Sequence, residues 1–188
     1  MGTLKITDAT VEPVTLAEAK LHLRVDVADD DALITALITA ARQRAEFITQ
    51  RSLISTTWEL AQDGFADCLQ LQYPRVIAVT ALTYLDSLGT LQTLAPSEYI
   101  VDATSEPGKV VLGYGKSWPS TYAVPNAVKV RYTAGYGATA ASVPLAIRQW
   151  MLIVIGSLYA NREGAMSNAL QSLAYVDRML DEYRIWLL

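Results

Sequence analysis

A chain of 188 residues, 52% of them hydrophobic, is long enough for one domain with an insertion and can bury a core without covalent staples, which excludes extended disorder. A formal net charge of −4 and a pI near 5.0 argue against a dedicated nucleic-acid binder, because phosphate affinity needs an excess of Lys and Arg on some face. The single Cys68 permits neither an intrachain disulfide nor a thiolate cluster, and the single His22 supplies no metal site alone.

Met1 to Glu12 reads as a weak strand or arm with no basic-then-apolar leader pattern. The most apolar stretch, Trp150 to Leu158, falls far short of the roughly 20 residues that span a bilayer, so the expectation is a soluble protein of a reducing compartment. Thr15-Leu16-Ala17-Glu18 has the form of a capping box and opens a first helix to about Leu23, with Leu16, Ala19 and Leu23 on its inner side. Asp29, Asp30 and Asp31 place negative charge at the start of a second helix. There Leu33, Ile34, Leu37, Ile38, Ala41, Ala45 and Ile48 keep helical spacing, with Arg42 and Arg44 toward the C-terminal half.

From Thr56 to Tyr132 the period changes to two. Trp58 to Leu60, Leu69 to Leu71, Val76 to Leu85, Leu91 to Leu94, Tyr99 to Val101, Lys109 to Leu112 and Val128 to Tyr132 read as strands, with Asp86-Ser87-Leu88-Gly89 as a hairpin turn. Pro74, Pro96, Pro107, Pro119 and Pro125 all fall between these runs. Tyr132-Thr133-Ala134-Gly135-Tyr136-Gly137 ends the β-rich section. Its glycines permit positive φ or a close backbone approach, and Pro144 suits the first turn of a third helix reaching about Tyr159. The continuous apolar run from Trp150 to Ile155 predicts a helix sandwiched between layers, and a last helix follows from about Ala169 to Trp186.

The fold class expected is α+β: a four-helix core with an inserted antiparallel β module. Residues 1–55 form an N-terminal helical part, 56–137 the β module, and 138–188 a C-terminal helical part packing on the first.

Catalytic residues are not in evidence. His22 has no Ser or Cys nucleophile in a recognisable motif beside it. Asp26, Asp29, Asp30 and Asp31 lack the alternate-ligand spacing, central Gly and terminal Glu of a calcium loop, so a helix start accounts for them better. Thr133 to Gly137 resembles a potassium filter only by chance, since membrane helices do not flank it. Gly113-Tyr114-Gly115 is too short for a nucleotide loop. Neither a cofactor nor a metal is expected. In the last helix Leu173, Val176, Leu180, Tyr183 and Leu187 form one apolar stripe. Ile185, Trp186 and Leu188 widen it, which marks Tyr183, Ile185, Trp186, Leu187 and Leu188 as a candidate interaction surface.

Several pieces in order resemble the head–tail connector (adaptor, or head-completion) proteins of long-tailed phages and prophages, in the longer version with a β insertion. They are Pro13 to Lys20 with His22 to Asp26, Asp30-Asp31 with Leu33-Ile34, Ala40-Ala41-Arg42, Glu46, and Arg51 to Ile54. Trp58, Pro74, the Tyr84 to Gly89 turn, Trp118-Pro119, Tyr132 to Gly137, Val143-Pro144, Ile147-Arg148 and Tyr159 to Glu163 complete the set. One departure is Gln50, where the family often has a glycine before the arginine; it bears on where the second helix ends. The resemblance implies a non-enzymatic structural protein of the virion neck, present in the host cytoplasm before assembly. It implies a ring, usually of twelve copies, beneath the portal protein, presenting a surface to a tail-side connector or tail-completion protein. DNA would only pass through its channel, and no membrane is involved. Two other readings stay open: a tail-completion protein, and a non-viral ligand- or glycan-binding β module with Trp58, Trp118 and Tyr122 as a stacking platform.

Overall fold

The computed structural model describes residues 2–161 and 175–185. The chain is mixed α and β, with helices and antiparallel sheets. It divides into two compact units, each assembled from two stretches of sequence: residues 1–9 with 55–135, and 10–54 with 136–188.

The first, a β unit, contains β1 (Gly2–Lys5), β2 (Thr56–Gln62), β3 (Cys68–Leu71), β4 (Val76–Leu85), β5 (Leu91–Thr93), β6 (Tyr99–Asp102), β7 (Gly108–Leu112) and β8 (Val128–Ala134). One sheet has the order β1-β2-β8-β4-β5 and the other β3-β7-β6, with every pair antiparallel. Alternation sets which face is buried: Trp58 and Leu60 point into the core from β2, and Val128, Val130 and Tyr132 from β8, while Lys129 and Arg131 point out. Leu69, Leu71 and Val110 of the smaller sheet join the same cluster. Stacked pairs extend it, Trp58 on Tyr73 at 3.9 Å and Phe65 on Trp118 at 4.6 Å between ring centroids. The Asp86 turn is built as its sequence suggests. Its carboxylate accepts from the Gln92 amide and from the backbone N–H groups of Thr90 and Leu88, and these bonds, the Gln92 amide foremost, hold its pKa low.

Residues 1–55 were expected to belong to a helical part, yet Gly2 to Lys5 form the outer strand of the larger sheet. This short stretch carries few apolar residues, and only the free edge of β2 gives it a place.

The second, a helical unit, contains α1 (Leu16–Leu23), α2 (Asp31–Thr49), α3 (Leu145–Ala160) and a 3-10 helix, Asp177–Tyr183. The capping box is complete: the Glu18 N–H donates to the Thr15 hydroxyl, and the Thr15 N–H donates back to the Glu18 carboxylate at 2.8 Å. At α2 the acidic start takes another form. Asp30 is the cap residue but caps with no side-chain bond; its carboxylate receives the Tyr159 hydroxyl from the end of α3, and Asp31 pairs with Lys20 at 2.5 Å. Helix α2 ends on Gln50 in the left-handed region, φ 55°, the conformation for which a glycine is preferred.

Arg42 is not the exposed cation that helix-end electrostatics suggests. It is almost wholly buried, donates to Glu12 at 2.8 Å and pairs with Glu46, whose other oxygen accepts the Leu53 N–H. Gly135 and Gly137 both have positive φ, at 143° and 156°, and a Cβ on Gly137 would sit 2.7 Å from that of Ser142. Helix α3 differs from the sandwiched helix expected. Ile147, Trp150, Met151, Val154 and Ile155 are buried, whereas Leu145, Ile153 and Leu158 are exposed. Neighbouring elements cover one side of it, so an apolar run does not by itself mean burial all round.

Candidate assembly surfaces

The proposed interaction residues fall at the end of the described chain. Trp186, Leu187 and Leu188 lie outside the described residues, as do Ala169 to Ala174 of the expected last helix. What is described is held to α3, to the end of α2 and to the residues just after it. Leu180 is fully buried, and in a 3-10 helix residues three apart line up, which places Asp177 and Tyr183 on the same side. The Trp150 indole N–H donates to Asp177 at 3.1 Å. The Arg51 guanidinium, itself buried, donates to the Tyr183 carbonyl at 2.5 Å, and the Ile185 N–H donates to the Thr49 carbonyl at 3.1 Å. Tyr183 and Ile185 are half-buried. Burial, and then the adjacent Glu182 carboxylate, push the Tyr183 phenol above its ordinary pKa. The segment is therefore fixed up to Ile185, and Tyr175 and Met179 stand exposed along it.

Two further surfaces of the helical unit have no counterpart in the sequence reading. A concavity of about 450 Å3 runs between α1 and α3, lined by Val14, Leu21, Leu145, Arg148, Gln149 and Leu152 among others. Leu21 is 82% exposed and Leu145 65%. Its charges are internally balanced, because Arg148 is held by the Glu18 carboxylate and the Pro13 carbonyl. His22 borders this groove and lies near Gly156. The outer side of α2 presents Ala32, Thr35, Ala36, Ala40, Gln43, Arg44 and Phe47, with Phe47 68% exposed. The available signal was phase: Phe47 falls off the buried spacing of Ile34, Ile38, Ala41 and Ala45 that the rest of α2 obeys.

Of the three aromatics proposed as a stacking platform, Trp58 is 7% exposed and stacked on Tyr73, half-buried Trp118 has one face stacked on Phe65, and Tyr122 is exposed. Among the described residues no group of His, Cys, Asp and Glu could hold a metal ion, and no helix is long and apolar enough to cross a membrane.

Comparison with known proteins gives two findings. Residues 13–81 match a family described as "Phage gp6-like head-tail connector protein", so the resemblance read from the residues holds over that segment. The whole chain matches solved structures described as "Neck of empty GTA particle computed with C6 symmetry" and "Virion of native gene transfer agent (GTA) particle", each with a TM-score of 0.79. A third, "Neck of native GTA particle computed with C12 symmetry", matches at 0.75. In all three the identity is 24%, with 100% of this chain and 98% of the other covered; the likeness establishes a shared fold. No curated protein matches.

Proposed function

We propose that this chain is a structural subunit of a virion neck, a head–tail connector that assembles with copies of itself into a ring between portal and tail and extends the DNA channel. The observation that carries this reading is the combination of a connector-family match over residues 13–81 with a fold shared along the entire chain with neck proteins solved under cyclic symmetry. The acidic balance agrees with it, since a channel wall that bound phosphates tightly would hinder DNA passage. In this reading the chain catalyses nothing. The portal lies on one side and a tail-side connector or tail-completion protein on the other, and the helices form the four-helix core that carries the β insertion.

The segment from Tyr183 through Ile185 to Trp186, Leu187 and Leu188 is an assembly surface in the same proposal. Support comes from the way Arg51 and Thr49 fix its start on α2 while the residues that follow are apolar. A chain ending at Arg184 tests this part: its fold should persist while ring formation or portal attachment weakens, and unchanged assembly would remove the surface from the proposal. The function as a whole is tested by deleting the gene from its phage or prophage. Filled heads without tails, restored by the wild-type chain, are expected; normal tailed particles would end the reading.

A further inference from the structure

We infer that the groove between α1 and α3 receives the outer side of α2 from a second copy of this chain, in a head-to-tail contact. This rests on the ring reading above and names the surfaces that would build it. Helices α1, α2 and α3 each pack on the other two. In such a three-helix cluster the groove between two helices and the outer side of the third face opposite directions. Helix α2 shows the same geometry on its own wheel: at 3.6 residues per turn, Ala32, Ala36, Ala40, Gln43 and Phe47 lie on the reverse side from Ile34, Ile38, Ala41 and Ala45, which are buried. Two different patches on opposite sides of one subunit are what a heterologous contact needs to propagate and close into a ring of many members.

The chemistry of the two patches agrees. A solvated helix face normally carries charge, yet no residue from Ala32 to Ala41 is charged; Arg44, exposed beside Phe47, is the cation that borders the patch, and it reaches Asp177 of its own subunit at 3.8 Å. The groove is likewise neutral overall, its Glu18 and Arg148 satisfied by each other, so docking would strand no unpaired charge away from water. Shape agrees too. Alanines at every fourth position let a helix approach closely, and the exposed Leu21 and Leu145 are side chains long enough to fill the space beside them. Phe47, exposed at one end of the alanine row, is the large apolar anchor that such contacts tend to centre on.

The test uses the full chain with Cys68 replaced by Ser, carrying Leu21→Cys, Ala36→Cys or both. Under mild oxidation the double variant should give a ladder of dimers, trimers and higher species, while each single variant stays monomeric. Single variants that dimerise as fully as the double would indicate a symmetric contact and overturn the inference, as would a double variant that gives no ladder. In parallel, Ala36→Glu and Leu21→Glu change exposed positions, so melting temperature should move little while ring formation, followed by native mass spectrometry with portal protein present, weakens about tenfold or more. Wild-type rings that these variants leave unchanged would overturn the docking mode alone and keep the neck reading. A wild-type chain that forms no ring with or without portal protein, together with a double cysteine variant that gives no ladder, would overturn both.

Discussion

In the β unit, Leu60, Leu82, Val130 and Tyr132 pack between two sheets whose strands are tied by backbone ladders. In the helical unit, apolar packing between helices is supplemented by polar side chains. Arg148 reaches Pro13 and Glu18, Tyr159 reaches Asp30 and Arg51 reaches the Tyr183 carbonyl, each joining the two distant stretches of sequence, while Arg42 with Glu12 and Trp150 with Asp177 tie elements within one stretch. The difference follows from the elements. A strand exports its backbone hydrogen bonds to its neighbour, whereas a helix consumes them internally and leaves only side chains to fix how helices meet. Apolar contact between helices tolerates sliding; a buried guanidinium with two carboxylates does not, because any shift leaves a desolvated charge unpaired.

Excising the β unit should disturb this division most severely. Thr56 pairs with Ala134 across β2 and β8, and the Tyr136 N–H donates to the Leu53 carbonyl, so both ends of residues 55–135 lie side by side. Replacing that segment with a short linker, and omitting residues 1–9, should leave a helical protein that unfolds cooperatively by circular dichroism. Loss of all helical signal would show one indivisible core.

Arg42→Met should come next, at about 3 kcal/mol, because it leaves Glu12 and Glu46 without their buried cation. Hydrogen exchange should show protection falling in residues 10–54 and 136–160 with the β ladders retained; a uniform loss across both units would contradict the contrast between them. In the β unit, Tyr132→Phe removes a hydroxyl that donates to the Gln72 carbonyl at 2.8 Å in a site whose burial raises the phenol pKa. It should cost about 1–2 kcal/mol in a urea melt, since one buried carbonyl loses its partner while the core shape stays.

Acid should act on the helical unit through Glu18. The backbone N–H of Thr15 lowers the Glu18 pKa most; burial opposes it, and the Thr15 hydroxyl and Arg148 add to the lowering, so the pKa stays below its ordinary value of 4.5. A depressed folded pKa means stability that is fully present above the unfolded value and lost as pH falls through the folded one. Glu18→Gln should therefore lower the urea midpoint at pH 7 and flatten its decline below pH 4.5; an unchanged acid limb would remove Glu18 from the account. The smallest effect is expected at Gln50→Gly, which relieves a left-handed non-glycine cap but gives up the bond from the Gln50 amide to the Phe47 carbonyl at 2.7 Å. A gain of up to about 1 kcal/mol in thermal unfolding is the expected result, and a loss would mean that the side-chain bond outweighs the backbone strain.

Local features were legible in the residues themselves. The seven strands from Trp58 to Tyr132, the Thr15 capping box, the Asp86 turn and the start of α3 after Pro144 all depend on interactions within a few residues, where alternation, caps and turn chemistry act directly. The connector resemblance was legible for the same reason, as a series of local signatures in order. The proposed interaction surface rests in the sequence on an apolar excess around Tyr183 to Leu188. Other matters needed the chain to meet itself. Whether Gly2 to Lys5 is an arm or a strand depends on a free edge more than fifty residues away. Arg42 is a buried clasp and not a helix-end cation because Glu12 and Glu46 converge on it. Leu21, Phe47 and Leu145 are exposed, although their side chains are as apolar as those of the core, because helix packing has already used the opposite faces. Hydrophobicity states what a side chain would gain by burial, and only the completed packing decides which side chains are left to gain it from another molecule.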